Sequence, residues 1–253
     1  MQTIKDSIKQ ADACKEKRSS LSLPEEKKKE IEGYFHLHTT YSSNTLDGNS
    51  LTLEETKEVL ETGRPCKGKS SKDCYEALGH GAAYDFMLSL ASQPDLPITK
   101  ENILKLHELF YEKIDSENAG KLRTAPRQIA GTRYLPPPPE ELEHLMEHLA
   151  DQLDSSKYSL HPLELAALSH KRLLDIHPFA HGNGRVARLL MNLILVNTGY
   201  GVTLIPLSLR DEYISALATS RKLYNPDPIT KMIAECVVET NKEYCRLLGN
   251  TDK

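Results

Sequence analysis

"HPFAHGNGR", residues 177–185, runs without a break into the apolar "VARLLMNLILVN" of residues 186–197. The second stretch has the length and leucine content of a buried helix, and the first supplies its opening turn. A Gly-Asn-Gly loop that starts a helix presents unpaired backbone N–H groups with no Cβ in the way, at the positive end of the helix dipole. Gly182, Asn183 and Gly184 therefore read as an anion cradle, to which the Asn183 side chain can add an N–H. Arg185 and Arg188 fall on the first turn, where each can make two-pronged contacts to phosphate oxygens. His177 follows the helical "PLELAALSHKRLLDI" and has a pKa suited to taking a proton from a hydroxyl near neutrality. A base beside a phosphate cradle points to attack by an alcohol on a nucleotide phosphorus. A glycine pair or a lone His-Pro is commonplace by itself, but the whole frame from His177 to Arg188 is hard to explain as packing.

Outward from this segment the pattern is helical almost everywhere. "ITKENILKLHELFYEKI" puts Ile103, Leu106, Leu109 and Phe110 on one stripe, and "DCYEALGHGAAYDFMLSLAS" repeats the spacing. Asp47-Gly48-Asn49 breaks one helix, and Ser50 or Thr52 caps the next. Ser22, ahead of Pro24, marks a helix start, and the residues before it read as a loose helix or disorder. "GRPCKGKSS" reads as an exposed loop. Further helices are expected from Glu140, from about Pro162 and from about Arg185, with "SLRDEYISALATSRK" and "PITKMIAECVVETNKEYCRLL" following. The exception is "RQIAGTRYL", whose alternation predicts a short β-hairpin before the stiff connector of prolines 136–139. The expected fold is all-α, a helical bundle.

Composition bounds the rest. Against 36 acidic residues stand 32 Lys and Arg, a net charge of −4, so no global positive field draws nucleic acid. The most apolar run, Val186 to Val196, is too short for a bilayer and carries Arg188 and Asn192; with no apolar core at the N-terminus, the expectation is a cytoplasmic protein without membrane contact. Five cysteines in irregular spacing fit reduced thiols. Cys66, Cys74 and His80 match no zinc pattern, and His144 and His148 share a helix face but lack the glutamate of a His-Glu-x-x-His frame. The run Glu25 to Glu30 is a solvated face.

The segment 177–188 resembles the signature of the Fic (Fido) family, His-x-Phe-x-(Asp/Glu)-Gly-Asn-Gly-Arg-x-x-Arg, and the likeness extends over roughly residues 30 to 240 through "GKLRTAPRQIAGTRYLPPPPEELEHLMEHL" and "HPLELAALSHKRLLDI". The resemblance implies a Fic-type bundle with a short β-hairpin flap, and transfer of AMP from ATP to a hydroxyl side chain (Ser, Thr or Tyr) of a target protein. His177 would be the general base, Phe179 a loop anchor, Gly182, Asn183 and Gly184 the α-phosphate cradle, and Arg185 and Arg188 the holders of the outer phosphates. Gln128, Ile129, Ala130, Gly131 and Thr132 would form the flap that clamps an extended target by backbone pairing. Ser43 to Asn49 resembles the family's inhibitory motif, (Ser/Thr)-x-x-x-Glu-(Gly/Asn), which implies that Ser43, Asp47, Gly48 and Asn49 restrain the site through an Asp47–Arg188 pair. Residues 1–60 would then be an N-terminal helical segment bearing that motif, and 61–253 the Fic core with C-terminal helices.

Two positions depart from the family pattern. Asp47 stands where glutamate is usual, one methylene shorter. His181 stands where the family has the acid that holds magnesium, and imidazole is a poor magnesium ligand. With ATP as co-substrate and Mg or Mn in question, three outcomes stay open: slowed or altered transfer, a softer metal, or binding without turnover. The alternatives are thus a changed donor, removal of AMP, or a non-catalytic nucleotide-binding module. Tyr213 and Asn225 read as a core tyrosine and a loop asparagine. The chain ends too soon after its last expected helix for a helix-turn-helix unit, so no DNA contact is expected, and homo-oligomerisation stays open.

Overall fold

Capping residues set where the helices of this chain begin, and a computed structural model describes residues 3–95, 98–129 and 132–249. The order is α1 (Ile4–Ser19), α2 (Glu25–Leu46), α3 (Leu53–Thr62), α4 (Ser71–Ala91), α5 (Lys100–Tyr111), α6 (Leu142–Ser156), α7 (Pro162–Ile176), α8 (Asn183–Asn197), α9 (Arg210–Lys222) and α10 (Asp227–Leu247). Thr52 closes a capping box with Glu55, and Ser70 and Thr99 accept from the third backbone N–H of α4 and α5.

Two expectations about the N-terminal region change. α1 is a regular helix: Thr3 and Asp6 cap it reciprocally, Ala11 is fully buried, and Arg18 lies 4.0 Å over the Tyr244 ring of α10. Tertiary packing thus supplies what its weak amphipathic pattern does not. α2 starts at Glu25 with Pro24 at the cap and no side-chain bond, because Ser22 lies two residues too early to reach the first turn.

The bundle is organised around α8, which α7 lines and which α4, α5 and α2 also cover; α10 packs on α1, α7 and α9, and α6 lies against α7. Every residue from Arg185 to Leu195 of α8 is buried. Each buried Leu or Ile there contributes roughly 1.5–3 kcal/mol by leaving water, so the helix that carries the glycine loop is the most firmly held element in the molecule. A smaller cluster of Leu51, Val59, Cys66, Cys74 and Ala77 sits beneath α3 and α4. Cys66 is buried although its loop read as exposed, and its Sγ lies 3.7 Å from that of Cys74, both thiols free.

The β-hairpin does not form: no strand occurs among the described residues, and Ala130 and Gly131 lie outside them. From Lys121 to Pro138 the described chain is irregular, with Thr132 N donating to Ile129 O at 3.2 Å. Prolines 126 and 136–139 have no N–H to give a ladder, and a lone two-stranded hairpin is marginal in water. No helix among the described residues is long and apolar enough to cross a membrane.

Candidate active site

The α7–α8 connection is a left-handed turn built on a non-glycine residue. His177 caps α7 at φ 51° and ψ 56°, its N–H donating to Leu173 O at 2.9 Å. This conformation costs on the order of 1 kcal/mol and has to be held in place. Arg123, buried in the chain ahead of the hairpin segment, does so: its Nε donates to His177 O at 2.8 Å and its backbone N–H to Pro178 O at 2.9 Å. Burial, and then the Arg123 charge, push the His177 imidazole down to about 4, so the ring is neutral at pH 7 and free to accept a proton.

Beyond the turn, Phe179 is fully buried and stacks on His107 of α5, ring centroids 3.8 Å apart and 5° from parallel. Asn183 closes the loop on itself: its Oδ1 accepts from Phe179 N at 2.9 Å and its Nδ2 donates to Phe179 O at 2.8 Å. The side chain expected to reach for phosphate is therefore a brace for the cradle. Gly182 holds φ 79°, and a Cβ there would lie 2.7 Å from the Phe110 ring. A Cβ on Gly184 would lie 2.9 Å from the Asp47 carboxylate. The mouth of the cradle is thus faced by Asp47 itself.

Asp47 arrives there through the end of α2. Gly48, at φ 92°, lets the chain turn back, with Gly48 N donating to Thr45 O at 3.0 Å and Asn49 N to Asn44 O at 3.1 Å; this is the paired bond pattern of a Schellman cap. Asp47 Oδ2 then meets Arg188 NH2 at 2.8 Å and Arg185 Nε at 3.3 Å. Arg188 also donates from Nε to Ser43 Oγ at 2.9 Å and from NH2 to Ser43 O at 2.7 Å. Burial would raise the Asp47 carboxyl, but Arg188 and Arg185 outweigh it and hold it below the usual carboxylate range. The shorter aspartate reaches the arginine after all.

A second carboxylate, which no sequence pattern marked, completes the charge balance. Glu76 of α4 is buried 3.2 Å from Arg185 NH1 and accepts from Asn49 Nδ2 at 3.0 Å. Arg185 also lies 4.7 Å over the Phe110 ring. Of the residues grouped around the inhibitory motif, Ser43, Asp47 and Asn49 all touch this network, directly or through Glu76.

Asp47, Gly184, Arg188 and His177 open on one cavity of about 480 Å³, whose walls include Ile129, Thr132, Tyr134 and Leu217. Thus Ile129 and Thr132 of the flap segment do lie beside the base, although not in a hairpin. Arg123 NH1 donates to Ala125 O at 2.9 Å and NH2 to Pro137 O at 2.5 Å, and Tyr134 OH donates to Asp175 O at 3.0 Å, so side chains tie down both ends of the segment. Tyr213 is buried as expected but also lines the cavity, with its hydroxyl 2.9 Å from His170 Nε2. Asn225 accepts from Asp227 N at 2.9 Å, a loop role at the start of α10. His144 and His148 are exposed and 6.5 Å apart, ring to ring.

His181 puts an imidazole where the family pattern has an acid, and imidazole is a poor magnesium ligand. Its Nε2 lies 3.1 Å from Arg127 NH2, and no group of three or more His, Cys, Asp or Glu among the described residues could hold a metal ion. The carboxylate that acts on the His181 ring is that of Asp115, while Asp47 and Glu76 are engaged by arginines. These residues do not fit a magnesium ion.

Comparison with known proteins agrees with this geometry. Residues 97–195 match the Fic/DOC family. The chain is 37% identical over 235 residues to "Protein adenylyltransferase Fic" of Drosophila grimshawi, covering 89% of this chain and 47% of that protein. It therefore spans about half the length of the curated relatives it matches. Among solved structures, residues 134–508 of Fic-1 from C. elegans superpose with a TM-score of 0.88 at 26% identity, over 98% of this chain and 74% of that one. A Fic domain containing signaling protein from Bacteroides thetaiotaomicron gives 0.87 at 27% identity, over 97% and 98%. With a helical fold, a half-buried histidine at a left-handed turn, a glycine loop at the head of the central helix and these relatives, this chain belongs to the Fic/DOC family.

Proposed function

We propose that this chain transfers AMP from ATP to a hydroxyl side chain of a target protein and is restrained by Asp47. The observation that carries the reading is the convergence of a neutral His177, the N-terminus of α8 at Gly184 and the Arg188 guanidinium on one cavity of about 480 Å³, large enough for a nucleotide. The hydroxyl oxygen attacks the α-phosphorus, the bond to the bridging oxygen breaks, pyrophosphate leaves, and the hydroxyl proton passes to His177. Backbone N–H groups at the start of α8 face the charge that develops on the phosphoryl oxygens. The name of the Drosophila grimshawi relative supports the same reading.

Restraint follows from electrostatics. Asp47 places a carboxylate against Gly184 and Arg188, where a phosphate would otherwise lie, so nucleotide and carboxylate compete for the same donors. The flap segment, with Ile129 and Thr132 on the cavity wall, would present the target hydroxyl. Backbone pairing with an extended peptide would position a hydroxyl without reading side chains.

The test is label transfer from α-labelled ATP to protein. The Asp47→Gly variant is expected to label strongly, the parent weakly, and the double variant with His177→Ala not at all. ATP binding with no His177-dependent label would move the assignment to a nucleotide-binding module.

A further inference from the structure

Four arginines near the cradle already face carbonyls or carboxylates of the protein, although Nε and Nη1 of Arg185 do so as ion pairs without a hydrogen bond. Arg123 is bonded to three carbonyls, Arg185 faces Glu76 and Asp47, Arg188 faces Asp47 and Ser43, and Arg221 faces Asp175. Arg127 differs. No carboxylate among the described residues pairs with it; its one described partner is a neutral nitrogen, His181 Nε2, at 3.1 Å. A guanidinium has only donors, so this contact makes Nε2 the acceptor and puts the imidazole proton on Nδ1.

The backbone of His181 is anchored, which fixes where its exposed ring leaves the loop. Its carbonyl accepts from His107 Nε2 at 3.2 Å, while Gly120 N donates to His107 Nδ1 at 3.0 Å, which fixes the His107 tautomer. The His181 ring lies against Tyr111, 27° from parallel. Burial and the Arg127 charge lower the His181 pKa, in keeping with a neutral ring. The same Arg127 charge also bears on His177.

Resting on the nucleotide reading above, we propose that Arg127, positioned by the lone pair of His181, supplies the positive charge that meets the phosphates of ATP at this cradle, in place of a divalent cation. The lone pair cannot serve Arg127 and a metal at once, and a neutral acceptor leaves the full guanidinium charge for an anion, where a carboxylate would have cancelled it. Arg suits the task because its planar fork matches phosphate oxygens. His181 is a positioning residue here and Arg127 a phosphate-binding one.

Calorimetric titration of ATP into the Asp47→Gly protein, with EDTA or with Mg²⁺, tests this directly. Affinity in EDTA is expected to stay within about twofold of that in Mg²⁺ and to fall about tenfold or more in Arg127→Ala, with Arg127→Lys between the two. His181→Asp is expected to make affinity depend on Mg²⁺. Arg127 is exposed, so its variants should keep the parent melting temperature. A tenfold loss of affinity in EDTA, or an unchanged affinity in Arg127→Ala, overturns the proposal. Label transfer in the same samples separates the two readings: metal-dependent transfer indifferent to Arg127 leaves the transferase and removes this inference. Arg127-dependent binding without transfer does the reverse.

Discussion

Asp47 and Arg188 form the contact on which the proposed restraint turns, and each stabilises the other. Asp47 is partly exposed but Arg188 is buried, so removing the carboxylate leaves a buried guanidinium uncompensated. Asp47→Gly should therefore lower the melting temperature of the free protein, while ATP raises it by more than in the parent, because phosphate then replaces the carboxylate. Thermal shift with and without ATP checks both signs. Gly182 makes a second, purely steric prediction. Its φ of 79° and the Phe110 ring 2.7 Å from a would-be Cβ leave no room for a side chain, so Gly182→Ala should cost about 1–3 kcal/mol in chemical denaturation. The glycines, His177 and Arg188 were all legible in the frame 177–188. Glu76 was not, because a buried carboxylate inside an apolar helix has no mark until its partner Arg185 is brought to it from another element.

At the scale of elements, α8 is rigid and the flap segment is tethered. α8 is buried along its length, whereas residues 121–138 have little regular structure and rely on Arg123 and Tyr134. Arg123→Ala should release Ala125 and Pro137 and unsettle the His177 turn together. The expected result is faster proteolysis within residues 124–138 and a lower kcat/KM for target protein, with ATP affinity changed less than about threefold. Limited proteolysis beside steady-state kinetics would show it; protection equal to the parent would remove the tether. The helices were legible from apolar spacing, since α4 to α10 fall where the periodicity places them. The expected hairpin is not seen among the described residues, because alternation over nine residues describes side chains, while strands need a backbone partner as well.

The whole molecule carries a set of histidines that burial keeps neutral. His107 and His177 are pushed down to about 4 and His170 to about 3, and His80 lies well below its ordinary value, burial being the first cause in each. Because the folded values lie below that of the unfolded chain, acid favours unfolding. Stability should be full above about pH 6.5 and fall as pH drops from there towards about 4 and 3. Asp47, depressed in its turn, adds a further loss below its ordinary value of 3.8. Denaturation midpoints across pH 8 to 4 measure the first window; a flat profile would contradict it. By the same argument the His177 limb in kcat/KM should lie near pH 4 rather than near 6.5.

Local order of residues was enough for the helices, for the glycine loop at the head of α8 and for the histidine that precedes it, since all of these rest on spacing along one segment. Cross-chain placement needed the fold. A Schellman turn at Gly48 carries Asp47 back over Gly184, α4 delivers Glu76 to Arg185, and Arg123 and Arg127 bring an otherwise irregular loop to His177 and His181. Those contacts join residues 54 to 141 positions apart. Charge pairing at that separation depends on how the helices pack, and no period in the sequence encodes it.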